Sequence, residues 1–211
     1  MTVARAVPIV ALLVGCATPV PDRSPAADKV LPLRHTVTEG IVDARVGSID
    51  KIFVGSGYRY IGGQRFILQN TADAEQHLFA DVDSAGEIQR LYWIQFEEML
   101  PGRAGSYDYR PDSTINIEGL PLYVNAGRHA TDPQPASDRA AVYRLLERAG
   151  FKPPLPATRV RLVYLPDERK KSEVMVIYIE RSDTTAQAGS AEAASAVTRA
   201  TSGGLQFITR G

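Results

Sequence analysis

Apolar side chains recur at every second position through most of the chain after residue 30, and this alternation, rich in β-branched and aromatic residues, is the signature of strands. It predicts strands over Arg34 to Val46, Tyr58 to Ile61, Gln64 to Gln69, His77 to Val82, Glu87 to Phe96 and Thr114 to Ile117. Gly62-Gly63 separates two of these and suits a two-residue hairpin turn, whose central positions take positive φ. Asp83-Ser84-Ala85-Gly86 supplies turn residues for the next pair. Thr158 to Leu165 and Glu173 to Arg181 are apolar on both faces, as in Val160, Leu162, Val163 and Tyr164 against Val174, Val176, Ile177 and Ile179. Such strands belong in the middle of a sheet. Leu205 to Ile208 predicts a last short strand.

The period changes to that of a helix at Ser137 to Ala149, where Val142, Leu145, Leu146 and Ala149 share a face and Arg139, Arg144 and Arg148 lie mostly off it. Ser137 is the expected N-cap, and Gly150 closes the C-terminus. An alanine-rich helix is expected over Ser190 to Thr201, with Ala193, Ala196, Val197 and Ala200 as a closely packed face. A succession of antiparallel strands, a helix, a buried hairpin and a second helix gives an α+β fold class. The expectation is a curved antiparallel sheet with the helices of residues 137–149 and 190–201 packed on it. Residues 31–211 are enough for a single domain with a sizeable core.

The first 30 residues differ in kind. Arg5 precedes an apolar stretch from Ala6 to Val14, and Pro19, Pro21, Asp22 and Arg23 follow soon after. That is signal-peptide anatomy, and it falls short of the roughly 20 apolar residues a membrane-spanning helix needs. Leu13-Val14-Gly15-Cys16 resembles the lipobox read by bacterial lipoprotein signal peptidase, a likeness confined to about the first 20 residues. The resemblance implies cleavage of residues 1–15, diacylglycerol on the Cys16 sulfur and a fatty acyl group on its new amino terminus. In that class Ala17 implies onward sorting to the outer membrane, facing the periplasm, where the host has one. Two or more acyl chains give stable membrane attachment where one gives reversible binding. Residues 16–30, with Pro19, Pro21 and Pro25 among small and polar side chains, are expected to form a tether.

Cys16 is the only cysteine, so the domain has no internal disulfide, thiolate metal cluster or cysteine nucleophile. The chain carries 24 basic and 24 acidic residues without a long run of either sign. Nucleic-acid binding, which needs a basic surface to neutralise phosphates, is disfavoured. No Gly-x-Ser-x-Gly elbow, phosphate-binding loop or dinucleotide fingerprint occurs, and Asp81 to Tyr92 lacks the twelfth-position glutamate of a calcium loop. These absences lower an enzymatic reading. The strand Glu87 to Glu98 places Trp93, Gln95 and Glu97 on one face, and Glu75 and His77 alternate on its neighbour. His77, Trp93, Gln95 and Glu97 are therefore candidate lining residues of a pocket of mixed polarity. Glu75, His77 and a distant Glu97 fall short of a convincing zinc set, so no metal or cofactor is expected. His35 and His129 are expected at the surface or rim. Tyr107 and Tyr109, in a loop between glycines and a proline, are candidate contacts for a ligand or partner.

The expected function is that of a membrane-anchored bacterial envelope lipoprotein with a non-catalytic binding or interaction domain, its partner an envelope protein or an apolar ligand. Two alternatives are a carrier of lipid or another apolar ligand in a sheet-helix cavity, and a hydrolase acting on envelope material. In the bacterial host, Cys16→Ser should abolish metabolic lipid labelling and release or misprocess the protein; unchanged labelling and membrane fractionation would refute the anchor.

Overall fold

The computed structural model describes residues 31–129, 133–183 and 186–210. The expected leader, Cys16 and the whole of the expected tether lie outside them. In chain order the elements are β1 (Val37–Thr38), β2 (Ile41–Val46), β3 (Ile49–Val54), β4 (Arg59–Leu68), β5 (Ala72–Val82), β6 (Ile88–Met99), β7 (Ser113–Ile117), β8 (Leu120–Arg128), α1 (Asp138–Arg148), β9 (Ala157–Tyr164), β10 (Ser172–Arg181), α2 (Ala191–Ser202) and β11 (Leu205–Thr209). Every strand pairing is antiparallel. The strands form two sheets, one in the order β1-β2-β3-β11 and a larger one in the order β4-β5-β6-β10-β9-β8-β7.

Two antiparallel sheets and two helices replace the single curved sheet expected from the sequence. Strand outweighs helix, so the chain fits a mainly-β arrangement with two helices as well as an α+β one. The smaller sheet arises because β11 returns to pair with β3, Leu205 opposite Val54, instead of extending the larger sheet. Both helices stand within a residue or so of their expected bounds. Ser137 caps α1 by accepting from the Ala140 N–H at 3.1 Å, and Gly150, at φ +82°, turns the chain so that Phe151 N–H donates to the Leu146 carbonyl at 2.9 Å.

The centre of the larger sheet is buried on both sides. One face packs against the smaller sheet and α2 through Val42, Ile52 and Val54, Tyr92, Ile94 and Phe96, Val174, Val176 and Tyr178, and Ala193, Ala196 and Ala200. The other face packs against α1 through Leu78, Leu91, Trp93, Ile177 and Ile179 with Val142, Leu145 and Leu146. β6 and β10, adjacent at the sheet centre, supply side chains to both clusters, which accounts for their unbroken apolar runs. Tyr92 Oη donates to the Ala200 carbonyl at 2.9 Å, and Arg199 grips Glu180 of β10 through Nε at 2.9 and 3.0 Å, so α2 is held by directed bonds as well as by its alanines.

Gly62-Gly63 is not a hairpin turn. β4 runs through both glycines as one strand, and the register slips at Ile61, with Tyr60 opposite Phe79 and Gly62 opposite Leu78. Gly62 sits in this bulge at φ +153°, a conformation that glycine adopts without a steric cost. Gly63 is needed for space, since a Cβ there would lie 2.9 Å from His77 Nδ1 and 2.8 Å from Tyr60 Oη. Asp83 to Gly86 does turn the β5–β6 hairpin, Asp83 Oδ1 accepting from the N–H groups of Ala85 and Glu87, each at 2.9 Å.

The alanine stripe of α2 sets the distance between that helix and the sheet. Ala196→Leu should destabilise the domain by about 1–3 kcal/mol through overpacking, whereas Ala194→Leu on the exposed face should be nearly neutral. Urea unfolding of the two variants checks this, and equal midpoints would contradict it.

Candidate functional site

Side chains opposite one another on neighbouring strands share a face, so register decides which candidate residues meet. In the β5–β6 pair Ala74 faces Glu97, Gln76 faces Gln95 and Leu78 faces Trp93, while His77 faces Ile94. Trp93, Gln95 and Glu97 therefore lie on the α1 side of the sheet and His77 on the opposite side. A pocket lined jointly by His77 and Glu97 does not form.

On the α1 side the polar side chains of four strands join. Gln64, Gln76 and Gln95 stand in register on β4, β5 and β6 and form an amide ladder. Arg148 donates to Gln64 Oε1 at 2.8 Å, Gln64 Nε2 to Gln76 Oε1 at 2.7 Å, and Gln76 Nε2 to Gln95 Oε1 at 2.7 Å. Trp93 Nε1 donates to the same Gln95 oxygen at 2.8 Å, and Gln95 Nε2 donates to Glu97. The ladder lets polar side chains occupy a dry sheet interior, where an unpaired amide would cost on the order of 1–3 kcal/mol.

It ends at a pair of carboxyls. Glu97 of β6 is directly opposite Glu173 of β10, and both are buried. Tyr107 Oη donates to Glu97 Oε2 at 3.1 Å, Tyr109 Oη donates to Glu173, and the two tyrosine rings stack with centroids 6.5 Å apart. Burial pushes the Glu97 carboxyl up to about 7, with the Asp138 charge adding to it, against the hydrogen bonds from Tyr107 and Gln95. Burial and the neighbouring Glu97 push Glu173 up to about 8, against the Tyr109 hydrogen bond and the Arg161 charge.

Beside the acid pair, under the N-terminus of α1, is a cavity of ≈ 190 Å³. Arg159 and Arg161 project into it from alternate positions of β9, His129 lines it from the end of β8, and Ser137, Asp138 and Arg139 supply the helix end. Trp93, Met175 and Ile177 form an apolar floor. Arg161 joins the two regions: its guanidinium sits over the Tyr109 ring at 4.9 Å and donates to Asn125 Oδ1 at 3.0 Å. Arg159 has no hydrogen-bond or carboxylate partner among the described residues, and its Nε is buried. Burial and the charges of Arg161 and Arg139 make its protonated form less favourable than usual, though an arginine remains a cation. His129 is 2% exposed, donates or accepts through Nε2 at 3.0 Å from Tyr143 Oη, and has no partner at Nδ1 among the described residues. Burial first, then Arg139 and Arg159, push it down to about 4, so it is neutral at pH 7. The cavity brings Arg139, Arg159 and Arg161 together, with Asp138 the one carboxylate among its lining residues.

Of the sequence-stated candidates, Trp93, Gln95, Glu97, Tyr107 and Tyr109 come together on this face, and His77 is excluded by register. His129 is buried in the cavity wall instead of at the rim, and the His35 side chain is only 11% exposed. Arg159, Arg161 and Glu173 join them only in the folded chain. Their signal is a polar side chain at alternate positions of otherwise apolar strands, Arg159 and Arg161 on β9 and Glu173 at the head of β10. Comparison with protein-family models, curated proteins and solved structures returns no match, so the chemistry of these residues alone carries the functional argument.

The acid pair has a sign-definite effect on stability. Each carboxyl binds its proton more tightly in the folded chain, so its contribution is fully present below the unfolded value of 4.5 and is lost as pH rises through about 7 for Glu97 and about 8 for Glu173. Glu173→Gln, a permanently neutral mimic, should flatten the fall in unfolding free energy between pH 5 and pH 9. Parallel wild-type and variant profiles would contradict the assignment.

Proposed function

We propose that this chain is a bacterial envelope lipoprotein, anchored through lipid on Cys16 at the periplasmic face of the outer membrane where one exists. Its α+β domain holds a small anionic ligand in the cavity beneath α1. The observation that carries the binding role is Arg159, a half-buried cation whose buried Nε has no partner among the described residues, converging with Arg161, Arg139 and the helix N-terminus on one cavity. A desolvated arginine is costly unless a counter-charge meets it, and helix N-termini favour anions. The matching ligand bears one carboxylate or phosphate group, which arginine recognises in a planar bidentate geometry, on a short apolar body resting on Trp93, Met175 and Ile177.

The cavity's size favours a head group over a whole lipid. Pockets for drug-sized ligands run to about 300–1,000 Å³, well above the ≈ 190 Å³ here. A carrier enclosing an acyl chain is less well supported, and the hydrolytic pairing of His77 with Glu97 lacks the necessary common face. No helix among the described residues is long and apolar enough to cross a membrane, and the proposed attachment relies on the lipid alone.

Trp93 is the only tryptophan and lines the cavity, so its fluorescence reports occupancy without a label. Full-length protein in a non-ionic detergent should show a saturable change with hexyl phosphate or hexanoate, and a weaker response to inorganic phosphate, which lacks the apolar body. Arg159→Gln should weaken binding about 10- to 100-fold, the value of one charge-assisted bond, while retaining its thermal transition. No saturable change, or equal affinity in Arg159→Gln, would refute the anion site.

A further inference from the structure

The opposite face of the larger sheet carries a second cluster, remote in register from the cavity. Glu75 of β5 is fully buried, and its Oε1 lies 3.1 Å from His35 Nδ1 and 2.9 Å from His77 Nε2. Those three donor atoms all lie within 4.8 Å of one another. We propose that His35, Glu75 and His77 form a divalent transition-metal site, with zinc its first candidate and water completing the coordination.

Four features support it. Two imidazoles and one carboxylate are the protein donor set of open, water-bearing zinc sites. Zinc bonds of about 2.0–2.2 Å in tetrahedral geometry separate neighbouring donor atoms by roughly 3.3 Å. The observed distances from Glu75 need to widen by a few tenths of an ångström, and the donor atoms, which lie within 4.8 Å of one another, must settle to that common spacing to admit the ion. The supporting shell is in place: Tyr60 Oη meets His77 Nδ1 at 3.1 Å, the His35 ring stacks on Phe96 at 3.9 Å, and the backbone N–H groups of Arg34 and His35 donate to Glu75 at 2.8 and 2.9 Å. A ligating histidine held by a hydrogen bond at its second nitrogen is the usual arrangement at protein metal centres. Gly63 leaves His77 and Tyr60 the space they occupy. Access is from the side of Tyr60, which is 37% exposed, and of the partly exposed His35.

Glu75 supplies the negative charge of the site, and the backbone N–H groups of Arg34 and His35 hold its carboxylate in place. Arg34 Nε, 3.6 Å from Glu75 Oε2, neutralises part of that charge at the oxygen away from the histidines and lowers the affinity without blocking the site.

The chain has three histidines, which makes the test selective. Chelator-treated full-length protein in non-ionic detergent is titrated with zinc chloride, followed by calorimetry and by histidine ring resonances. The expected result is saturable binding of one equivalent, with the His35 and His77 rings shifted and His129 unmoved. His35→Ala should weaken binding at least about 10-fold, the scale of a lost metal contact, and His129→Ala should leave it unchanged. Because the ring resonances are read on the unsubstituted protein, the result does not depend on a variant that folds. Absence of saturable binding up to about 100 μM zinc, undisturbed His35 and His77 rings, or wild-type affinity in His35→Ala would overturn the site.

Discussion

Burial of the centre of the larger sheet on both faces is the constraint from which the other features follow. The middles of β6 and β10 have protein on each side, so every polar side chain buried there must find its partner inside the protein. Gln95 does so through the ladder from Gln64 and Gln76, Glu97 and Glu173 through the tyrosines of the β6–β7 loop, and Glu180 through Tyr178 and Arg199. The cost of an unmet donor in such a place is what gives Arg159 its significance. Among the described residues its buried Nε has no partner, and neither has the Nε of Arg161, two positions along the same strand and lining the same cavity.

Charge is sorted along the α1 face. The two buried carboxyls are concentrated at one end, and burial raises them toward neutrality. The arginines are concentrated at the other, where they depress His129 and one another. Arg161 stands between, stacked on the tyrosine that donates to Glu173 and lining the cavity at the same time. Filling the cavity with an anion would relieve the arginine repulsion directly. Through Arg161 it would also alter the field at Glu173, so the two ends are coupled by one side chain. The far face is different in kind, because there a carboxylate is kept charged by imidazoles instead of neutralised by burial.

Much of this arrangement is visible in the residue pattern, and what escapes it does so for identifiable reasons. α1 follows from its periodicity and its cap Ser137, α2 from its alanine stripe, and the central place of β10 from apolar residues on both its faces. β8 is disguised by Pro121 and Gly127, both uncommon inside strands. The Gly62-Gly63 pair has the composition of a turn, but its context is a bulge, and only the pairing of β4 with β5 distinguishes the two. Trp93, Gln95 and Glu97 share a face by local alternation, which the chain displays openly. The side on which His77 falls depends on the register between strands, which local alternation does not encode. Arg159, Arg161 and His129 come from separate strands and meet only when β8 and β9 pair beneath α1.

The central proposal is that the cavity beneath α1 binds an anion among its arginines, and His129 is its internal gauge. Its ring has an Nδ1 without a partner among the described residues, in the wall of the cavity, and is held down to about 4 by burial and by Arg139 and Arg159. A pH titration of the His129 ring by nuclear magnetic resonance, without and then with saturating hexyl phosphate, reads that field directly. The account predicts a midpoint near 4 in the free protein that rises when the anion is bound, because the added negative charge favours the imidazolium. An ordinary histidine midpoint that does not respond to the anion would contradict it.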